Sequence, residues 1–136
     1  MAYTWIGDVY VSKADYEKAL VQYRRALDIQ IRVLGEEHTN VAGSYMNIGV
    51  VYQAQDKYEE ALDRFRRTLE IKTRVFGQDH PDVANSMYNI ALLHSGRQET
   101  EKARQLFLEC EKIYATVHGP DHSATVDAAR QASRCV

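Results

Sequence analysis

The sequence is poor in cysteine and proline, with two residues of each type. Its two cysteines, Cys110 and Cys135, provide no disulfide framework and no zinc-binding pattern, which favours a reducing compartment and predicts a cytoplasmic location. We expect Cys110 to lie in the core and Cys135 to be exposed. Two prolines and seven glycines among 136 residues leave no flexible linker and no low-complexity segment.

Excess charge of one sign and long apolar runs are also missing. The formal net charge is −2 and the sequence pI is about 6.2, so we expect no nucleic-acid partner. No apolar run approaches the roughly 18 residues that a membrane span needs, and the N-terminal stretch lacks the features of a signal peptide. With 45% hydrophobic and 26% charged residues, the chain fits one soluble domain, residues 1–136.

What the sequence does contain is an internal repeat of 42 residues. The stretch GEEHTNVAGSYMNIG at 35–49 nearly recurs as GQDHPDVANSMYNIA at 77–91, and a looser copy, GPDHSATV, follows at 119–126. Residues 1–42 match residues 43–84 at 19 of 42 positions. A fixed period of this length is typical of a stacked repeat protein. The predicted units are repeats at about 1–35, 36–77 and 78–119, and a capping helix at 120–136.

Each repeat is predicted to contain two helices. In YEKALVQYRRAL the apolar residues follow the i, i+3, i+4, i+7 spacing of one helical face. The helix before it shows the same spacing in each repeat. The first helices are predicted at about 2–12, 39–54, 81–96 and 122–134, and the second helices at about 15–34, 57–76 and 99–118. The predicted fold is therefore all-α, a right-handed α-solenoid of antiparallel helix pairs.

Glycine recurs at two kinds of position. Gly7 and Gly49 lie inside predicted first helices, where glycine costs ~1 kcal/mol relative to alanine, so we expect a neighbouring helix too close for a side chain. The expected partners are the alanines at equivalent positions of the second helices, Ala19, Ala61 and Ala103. Glycines 35, 77 and 119 are expected to end second helices in a left-handed conformation.

The motif Gly-x-(Glu/Asp)-His raises the question of a metal site. Packed helices lie about 8–10 Å apart, whereas two nitrogens sharing one zinc ion each lie about 2.1 Å from it. We therefore predict that His38, His80 and His122 form structural corners and share no ion.

These repeats resemble tetratricopeptide repeats of the 42-residue type, as found in kinesin light chains and nephrocystin-like proteins. The tetratricopeptide pattern W-x2-L-G-x2-Y…A-x3-F corresponds to Tyr3-x2-Ile6-Gly7-x2-Tyr10…Ala19-x3-Tyr23, then Tyr45-x2-Ile48-Gly49-x2-Tyr52…Ala61-x3-Phe65, and more weakly Met87-x2-Ile90-Ala91-x2-His94…Ala103-x3-Phe107. The family often has glycine in the turn between its two helices, where this chain has Ala14, Asp56 and Gln98. If these residues are left-handed, each costs about 1–2 kcal/mol.

The resemblance implies a protein or peptide partner bound in a concave groove lined by the first helices. Positions offset from the core stripe give the expected groove residues in each unit. They are Thr4, Trp5 and Asp8; Met46, Asn47, Val50 and Gln53; Asn85, Tyr88, Asn89 and Leu92; and Asp127, Arg130, Gln131 and Arg134 in the cap.

Asn47 and Asn89 are the leading candidates for ligand contact. Asparagine recurs at the same expected inward position in two repeats, although the interior of a helix mildly disfavours this residue. In kinesin-light-chain-like repeats the matching asparagines contact cargo peptides, helped by a basic residue at the position of Lys72. The alternative is that both asparagines bond within the scaffold. Trp5 could anchor a ligand or pack at an open end. The arginine pairs at 24–25 and 66–67 lie among acidic residues, which favours a solvated outer face.

No catalytic signature accompanies these features. The sequence has no G-x-S-x-G, phosphate loop, H-E-x-x-H or dinucleotide fingerprint, so we expect no enzymatic activity, no cofactor and no metal. A peptide- or cargo-binding adaptor is the leading hypothesis. The alternative is a self-association module that forms a homo-oligomer through an exposed first edge. A chaperone adaptor that grips a C-terminal carboxylate needs several basic groove residues, and the first groove helix offers none.

Overall fold

A computed structural model describes residues 7–11, 13 and 15–135, and within these ranges it contains helices, turns and no strand. Residues 7–11 form the described part of α1. The following helices are α2 (Tyr16–Leu34), α3 (Thr39–Ala54), α4 (Tyr58–Phe76), α5 (Pro81–Gly96), α6 (Thr100–His118) and α7 (Ser123–Arg134). The bounds of α2 to α7 agree with the predicted helices to within one residue, and the fold is an all-α solenoid. The described helices include none long and apolar enough to cross a membrane.

Contacts divide the chain into two compact units, Met1–Ile71 and Lys72–Val136. We call them the N-terminal unit and the C-terminal unit. The N-terminal unit contains α1, α2, α3 and most of α4, and the C-terminal unit contains α5, α6 and α7. Organisation as a single domain of three repeats and a cap remains a prediction.

A histidine side chain begins three of the helices. Nδ1 of His38, His80 and His122 accepts a hydrogen bond from the backbone N–H two residues further on, at distances of 3.0, 3.0 and 3.1 Å. Each histidine has extended backbone and is the N-cap of α3, α5 or α7. An N-cap acceptor satisfies one of the N–H groups that the first helical turn leaves unpaired. The recurring histidine is thus a structural corner, as predicted.

The glycines that follow α2, α4 and α6 all have the expected positive φ, but Gly35 and Gly119 combine it with an extended ψ. Gly35 has φ 88° and ψ 162°, and Gly119 has φ 95° and ψ 158°. This region of backbone space is essentially restricted to glycine, because a Cβ would clash there. The junction therefore turns out of the helix in an extended, mirror-image conformation, and each glycine N–H still bonds to the carbonyl four residues earlier.

The turns from α3 to α4 and from α5 to α6 place non-glycine residues in the left-handed region. Asp56 has φ 60° and Gln98 has φ 63°, so both meet the condition under which a non-glycine residue carries a conformational cost. In the turn from α3 to α4 the N–H of Lys57 donates to the carbonyl of Tyr52 at 2.8 Å. The N–H of Asp56 donates to the carbonyl of Gln53 at 3.0 Å. This pairing is a Schellman motif. Ala14 lies outside the described residues.

Both predicted close approaches of glycine occur in the N-terminal unit, but the partner is an aromatic ring and not the expected alanine. A Cβ on Gly7 would lie 2.5 Å from Cε1 of Tyr23, and a Cβ on Gly49 would lie 2.7 Å from Cε1 of Phe65. Ala19 and Ala61 are fully buried, four residues before Tyr23 and Phe65 respectively. The aromatic side chain four residues after each alanine fills the space that glycine leaves.

The core of the C-terminal unit contains both cysteines. Cys110 packs with Ala84, Ile113, Tyr114 and Ala128, as predicted for a core residue. Its thiol donates to the carbonyl of Ala84 at 3.2 Å.

The predicted exposure of Cys135 is wrong. This side chain is 6% exposed and packs with Ala91, Ala103, Phe107 and Ala132. Alanine at three of these four positions leaves room for a small sulfur-containing side chain, which behaves as a hydrophobic group when buried.

Candidate binding clefts

One cleft among the described residues that contains predicted groove residues lies in the C-terminal unit. It has a volume of about 320 Å³, and we call it the asparagine cleft. Three predicted groove residues, Asn85, Tyr88 and Asn89, line it together from α5. They lie on one helical face because the spacings of three and four residues are each close to one turn. Its other lining residues are Tyr114, Ala124 and Asp127.

Two tyrosines orient the polar groups of the asparagine cleft. The hydroxyl of Tyr88 donates to Oδ2 of Asp127, and the hydroxyl of Tyr114 donates to Oδ1 of Asn85. Burial raises the pKa of Tyr114 to about 12, with nearby titratable groups adding to the effect. Burial, followed by the bond to Asp127, also raises the pKa of Tyr88. Both phenols therefore keep their protons at neutral pH and act as donors.

This arrangement leaves hydrogen-bonding groups of both kinds in one cleft. An asparagine side chain has two N–H donors and a carbonyl acceptor. Because Tyr114 donates to the carbonyl of Asn85, the amide nitrogen of Asn85 is turned away from that hydroxyl and remains a donor. The carboxylate of Asp127 is an acceptor with room for more than the one bond from Tyr88. Such a set can pair with both the N–H and C=O groups of an extended backbone.

A second cleft, of about 220 Å³, lies in the N-terminal unit and contains Asn47. Its lining residues are Asp8, Val11, Tyr23, Asn47 and Val50. The hydroxyl of Tyr23 donates to Oδ1 of Asp8, and burial followed by the Asp8 carboxylate raises the pKa of Tyr23. The cleft thus repeats the combination of asparagine with a tyrosine–aspartate pair.

Several predicted site residues line neither cleft. Lys72 lies 3.8 Å from the carboxylate of Asp82 and 5.9 Å from the ring centroid of Phe76. Met46 is half-buried, and Leu92 and Arg130 are exposed outside the asparagine cleft.

Trp5 lies outside the described residues, and its predicted role remains a prediction. The described residues include no group of three or more histidine, cysteine, aspartate or glutamate side chains that could hold a metal ion.

Sequence reasoning missed the two tyrosines that come from second helices. Tyr23 was assigned only to the core stripe of α2, and Tyr114 was not singled out. Each places its ring in the core, at 3% and 5% exposure, and its hydroxyl at a cleft. A signal was present at position 114, because a tyrosine replaces Gln30 and Lys72 of the earlier repeats.

Comparison with known proteins identifies the fold and the family. A crystal structure of TPR-like repeats from a kinesin light chain of Podosopora anserina is similar to this chain, with 18% sequence identity. The TM-score is 0.83, and the match covers 98% of this chain and 64% of that chain. BtubC (BKLC) from P. vanneervenii is 22% identical, with a TM-score of 0.81 over 98% of this chain and 59% of that chain. This chain therefore spans less than two thirds of either structure.

A third structure is the TPR2B domain of yeast Sti1 in complex with pHsp70. It is 16% identical, with a TM-score of 0.67 over 95% of this chain and 89% of that chain. Among curated proteins, none matches the sequence. The family model for the tetratricopeptide repeat matches residues 1–74 and 40–116, which together include most of the chain. The chain belongs to the tetratricopeptide repeat family.

Proposed function

We propose that this protein is a non-enzymatic interaction scaffold that binds an extended peptide segment of a partner protein in the asparagine cleft. The observation that carries the proposal is the convergence of Asn85, Tyr88 and Asn89 on one cleft with Asp127. The cleft offers donors and acceptors, and its described lining residues include no cationic side chain. Its chemistry therefore suits the main chain of a peptide better than a carboxylate or a phosphate.

The physical argument concerns the peptide backbone. An extended peptide presents N–H and C=O groups that must find partners when they leave water, since an unpaired buried group costs about 1–3 kcal/mol. The amides of Asn85 and Asn89 can donate to peptide carbonyls, and the carboxylate of Asp127 can accept from a peptide N–H. The half-buried ring of Tyr88 lies alongside and can cover an apolar side chain of the peptide. Such contacts recognise the main chain with little dependence on sequence.

Two further observations support this function. The N-terminal unit has a smaller cleft with the same three chemical groups, namely Asn47 and the Tyr23–Asp8 pair. In addition, a structurally similar tetratricopeptide domain, TPR2B of yeast Sti1, was solved in a complex with pHsp70. We propose that both clefts of this chain contribute to partner binding as an adaptor, each through its own unit.

The experiment that tests the proposal is fluorescence polarisation with a library of labelled, uncharged extended peptides rich in aromatic residues. Peptides that bind the wild-type protein are measured again with Asn85→Ala plus Asn89→Ala. We expect the double variant to lose affinity by about tenfold or more, because each lost neutral hydrogen bond accounts for about 0.5–1.5 kcal/mol.

The matched control is Asn40→Ala, which removes an exposed asparagine of α3 that lines neither cleft. Circular dichroism checks that all variants are folded, since Asn85→Ala also removes the acceptor of Tyr114. Equal binding by the wild type and the double variant would exclude the asparagine mechanism.

Self-association is the alternative function, and the same protein preparation tests it. Tyr10 of α1 is half-buried, and self-association through α1 would place its ring at an interface between two copies. Light scattering over a range of concentrations measures the mass. A mass above that of one chain, lowered by Tyr10→Ser while peptide binding is unchanged, would favour the oligomerisation module.

A further inference from the structure

A third cleft, of about 470 Å³, lies in the N-terminal unit and is lined by residues of α2, α3 and α4, among which arginine is the most frequent. Four arginines belong to it, against two carboxylates, those of Asp63 and Glu70. We call it the arginine cleft. Its arginines are Arg24 of α2 and Arg64, Arg66 and Arg67 of α4. The formal net charge of the whole chain is −2, so the lining of this cleft is more positive than the chain as a whole.

Two of the four guanidinium groups are held in place by neighbours. Arg67 pairs with Glu37 at 3.2 Å and with Glu70 at 3.1 Å, and its guanidinium lies 5.9 Å from the ring centroid of Tyr45. Arg64 pairs with Asp63 and lies over an aromatic ring of α3. These two arginines form ion pairs with carboxylates and line the cleft.

The other two arginines form no ion pair with a carboxylate of the described residues. Arg24 donates through Nη2 to the hydroxyl of Tyr52 at 2.6 Å, which fixes the guanidinium against a neutral partner. Arg66 is exposed and forms no ion pair within the described part of the chain. Arg24 and Arg66 occupy equivalent positions of successive repeats, 42 residues apart, and both line the same cleft.

From this arrangement we propose that the arginine cleft binds an acidic segment of a protein partner. A guanidinium has five N–H donors in a planar fork that matches a carboxylate, and such charge-assisted bonds are about twice as strong as neutral ones. Two guanidinium groups that form no ion pair among the described residues therefore suit a segment with two acidic side chains. The cleft also has an apolar part, formed by Leu27, Tyr45 and Ile48, which can hold an apolar side chain between the two acids.

The overall charge argues for a peptide over a nucleic acid as the occupant. A nucleic acid presents a continuous series of phosphates, and its binding relies on many basic residues and the release of counterions. This chain has 17 basic and 19 acidic residues, so the surroundings of a two-arginine site oppose a long polyanion. A short acidic segment needs only the local pair.

The test uses two fluorescein-labelled pentapeptides of sequence Glu-Glu-Leu-Glu-Glu and Gln-Gln-Leu-Gln-Gln. The protein variants are Arg24→Gln plus Arg66→Gln in the cleft, and Arg25→Gln plus Arg32→Gln as a charge-matched control on exposed positions of α2. We expect the acidic peptide to bind the wild type and the control about equally. The cleft variant should bind it about tenfold or more weakly, as expected for the loss of bonds between charged groups.

The site is separate from the asparagine cleft, and the test separates the two. Asn85→Ala plus Asn89→Ala should bind the acidic peptide as the wild type does, whatever its effect on other peptides. The proposal is overturned if the acidic peptide does not bind, if both arginine variants lose affinity equally, or if the glutamine peptide binds as well. It is also overturned if a single-stranded oligonucleotide of twelve nucleotides binds more tightly with the same dependence on Arg24 and Arg66.

Discussion

Gly49 lies against the ring of Phe65, with 2.7 Å between Cε1 of the ring and the point where a Cβ would stand. This contact joins the first helix of a repeat, α3, to the second, α4. The same relationship joins Gly7 to Tyr23. In both cases glycine permits an aromatic side chain to reach the backbone of the neighbouring helix, so the repeat motif is a packing motif.

Alanine at position 49 is therefore expected to destabilise the fold. The added methyl group forces the ring of Phe65 or the helix backbone to move, and overpacking of this kind costs about 1–3 kcal/mol. The matched control is Gly43→Ala in the same helix, where a Cβ meets nothing within 4 Å. That control should stabilise by about 0.5–1 kcal/mol, the usual gain of alanine over glycine in a helix. Urea unfolding measures both, and equal effects of the two substitutions would contradict the packing argument.

Glycine at position 98 is expected to stabilise the protein. Gln98 has φ 63°, where an L-residue costs about 1–2 kcal/mol, and glycine removes that cost while adding freedom to the unfolded chain. The net gain should be about 0.5–1 kcal/mol. Asp56→Gly should gain less, because aspartate tolerates the left-handed region better than glutamine does. Melting temperatures by circular dichroism test the order, and a loss of stability in Gln98→Gly would show that its side chain has another role.

Removal of the histidine cap from α5 is expected to cost stability. His80→Ala loses the bond from the N–H of Asp82 and the stacked contact with Phe76, whose ring centroid lies 4.3 Å away. The loss of a cap costs about 1 kcal/mol. His80→Asn retains an acceptor at the N-cap, so it should lose only the ring contact and fall between the wild type and His80→Ala. If His80→Asn is as unstable as His80→Ala, the cap contributes nothing.

The buried thiol of Cys110 is expected to make the stability of the protein decrease at alkaline pH. Burial, the main cause, raises its pKa from 9.0 to about 12. The folded state then keeps a proton that the unfolded state releases. The stabilising contribution is complete below pH 9 and is lost as the pH rises from about 9 towards 12.

Thiol reactivity measures this effect directly in a Cys135→Ala background. At pH 8 the folded protein should react with an aromatic disulfide reagent far more slowly than the same protein in urea, because the thiolate is the reactive form. The free energy of unfolding should also decrease between pH 9 and pH 11, with a smaller decrease in Cys110→Ala. Rapid reaction of the folded protein at pH 8 would contradict the burial of this thiol.

The helices could be predicted from the sequence because the junction repeats. Glycine and histidine flank the same gap every 42 residues, and that regularity defined α3 and α5 to the residue. The chemistry of the junction could not be predicted in the same way. Histidine is not among the usual N-cap residues, so the role of its Nδ1 became clear only from the bond to the N–H two residues on.

The candidate site was predictable in part. Asn85, Tyr88 and Asn89 share a face of α5, and helical spacing alone places them together. The bond from Tyr114 to Asn85 joins residues 29 apart in sequence on two helices, and no local periodicity specifies such a contact. The burial of Cys135 was missed for a related reason, since its partners come from α5, α6 and α7.

The most direct test of peptide binding is the ¹H–¹⁵N spectrum of the labelled protein during titration with a peptide selected by fluorescence polarisation. The side-chain amide resonances of Asn85 and Asn89 report on the asparagine cleft, and that of Asn40 is the internal reference. We predict that the amides of Asn85 and Asn89 shift in a saturable manner with the dissociation constant measured by polarisation, while Asn40 does not move. Saturable binding that leaves both cleft amides unchanged would contradict the account.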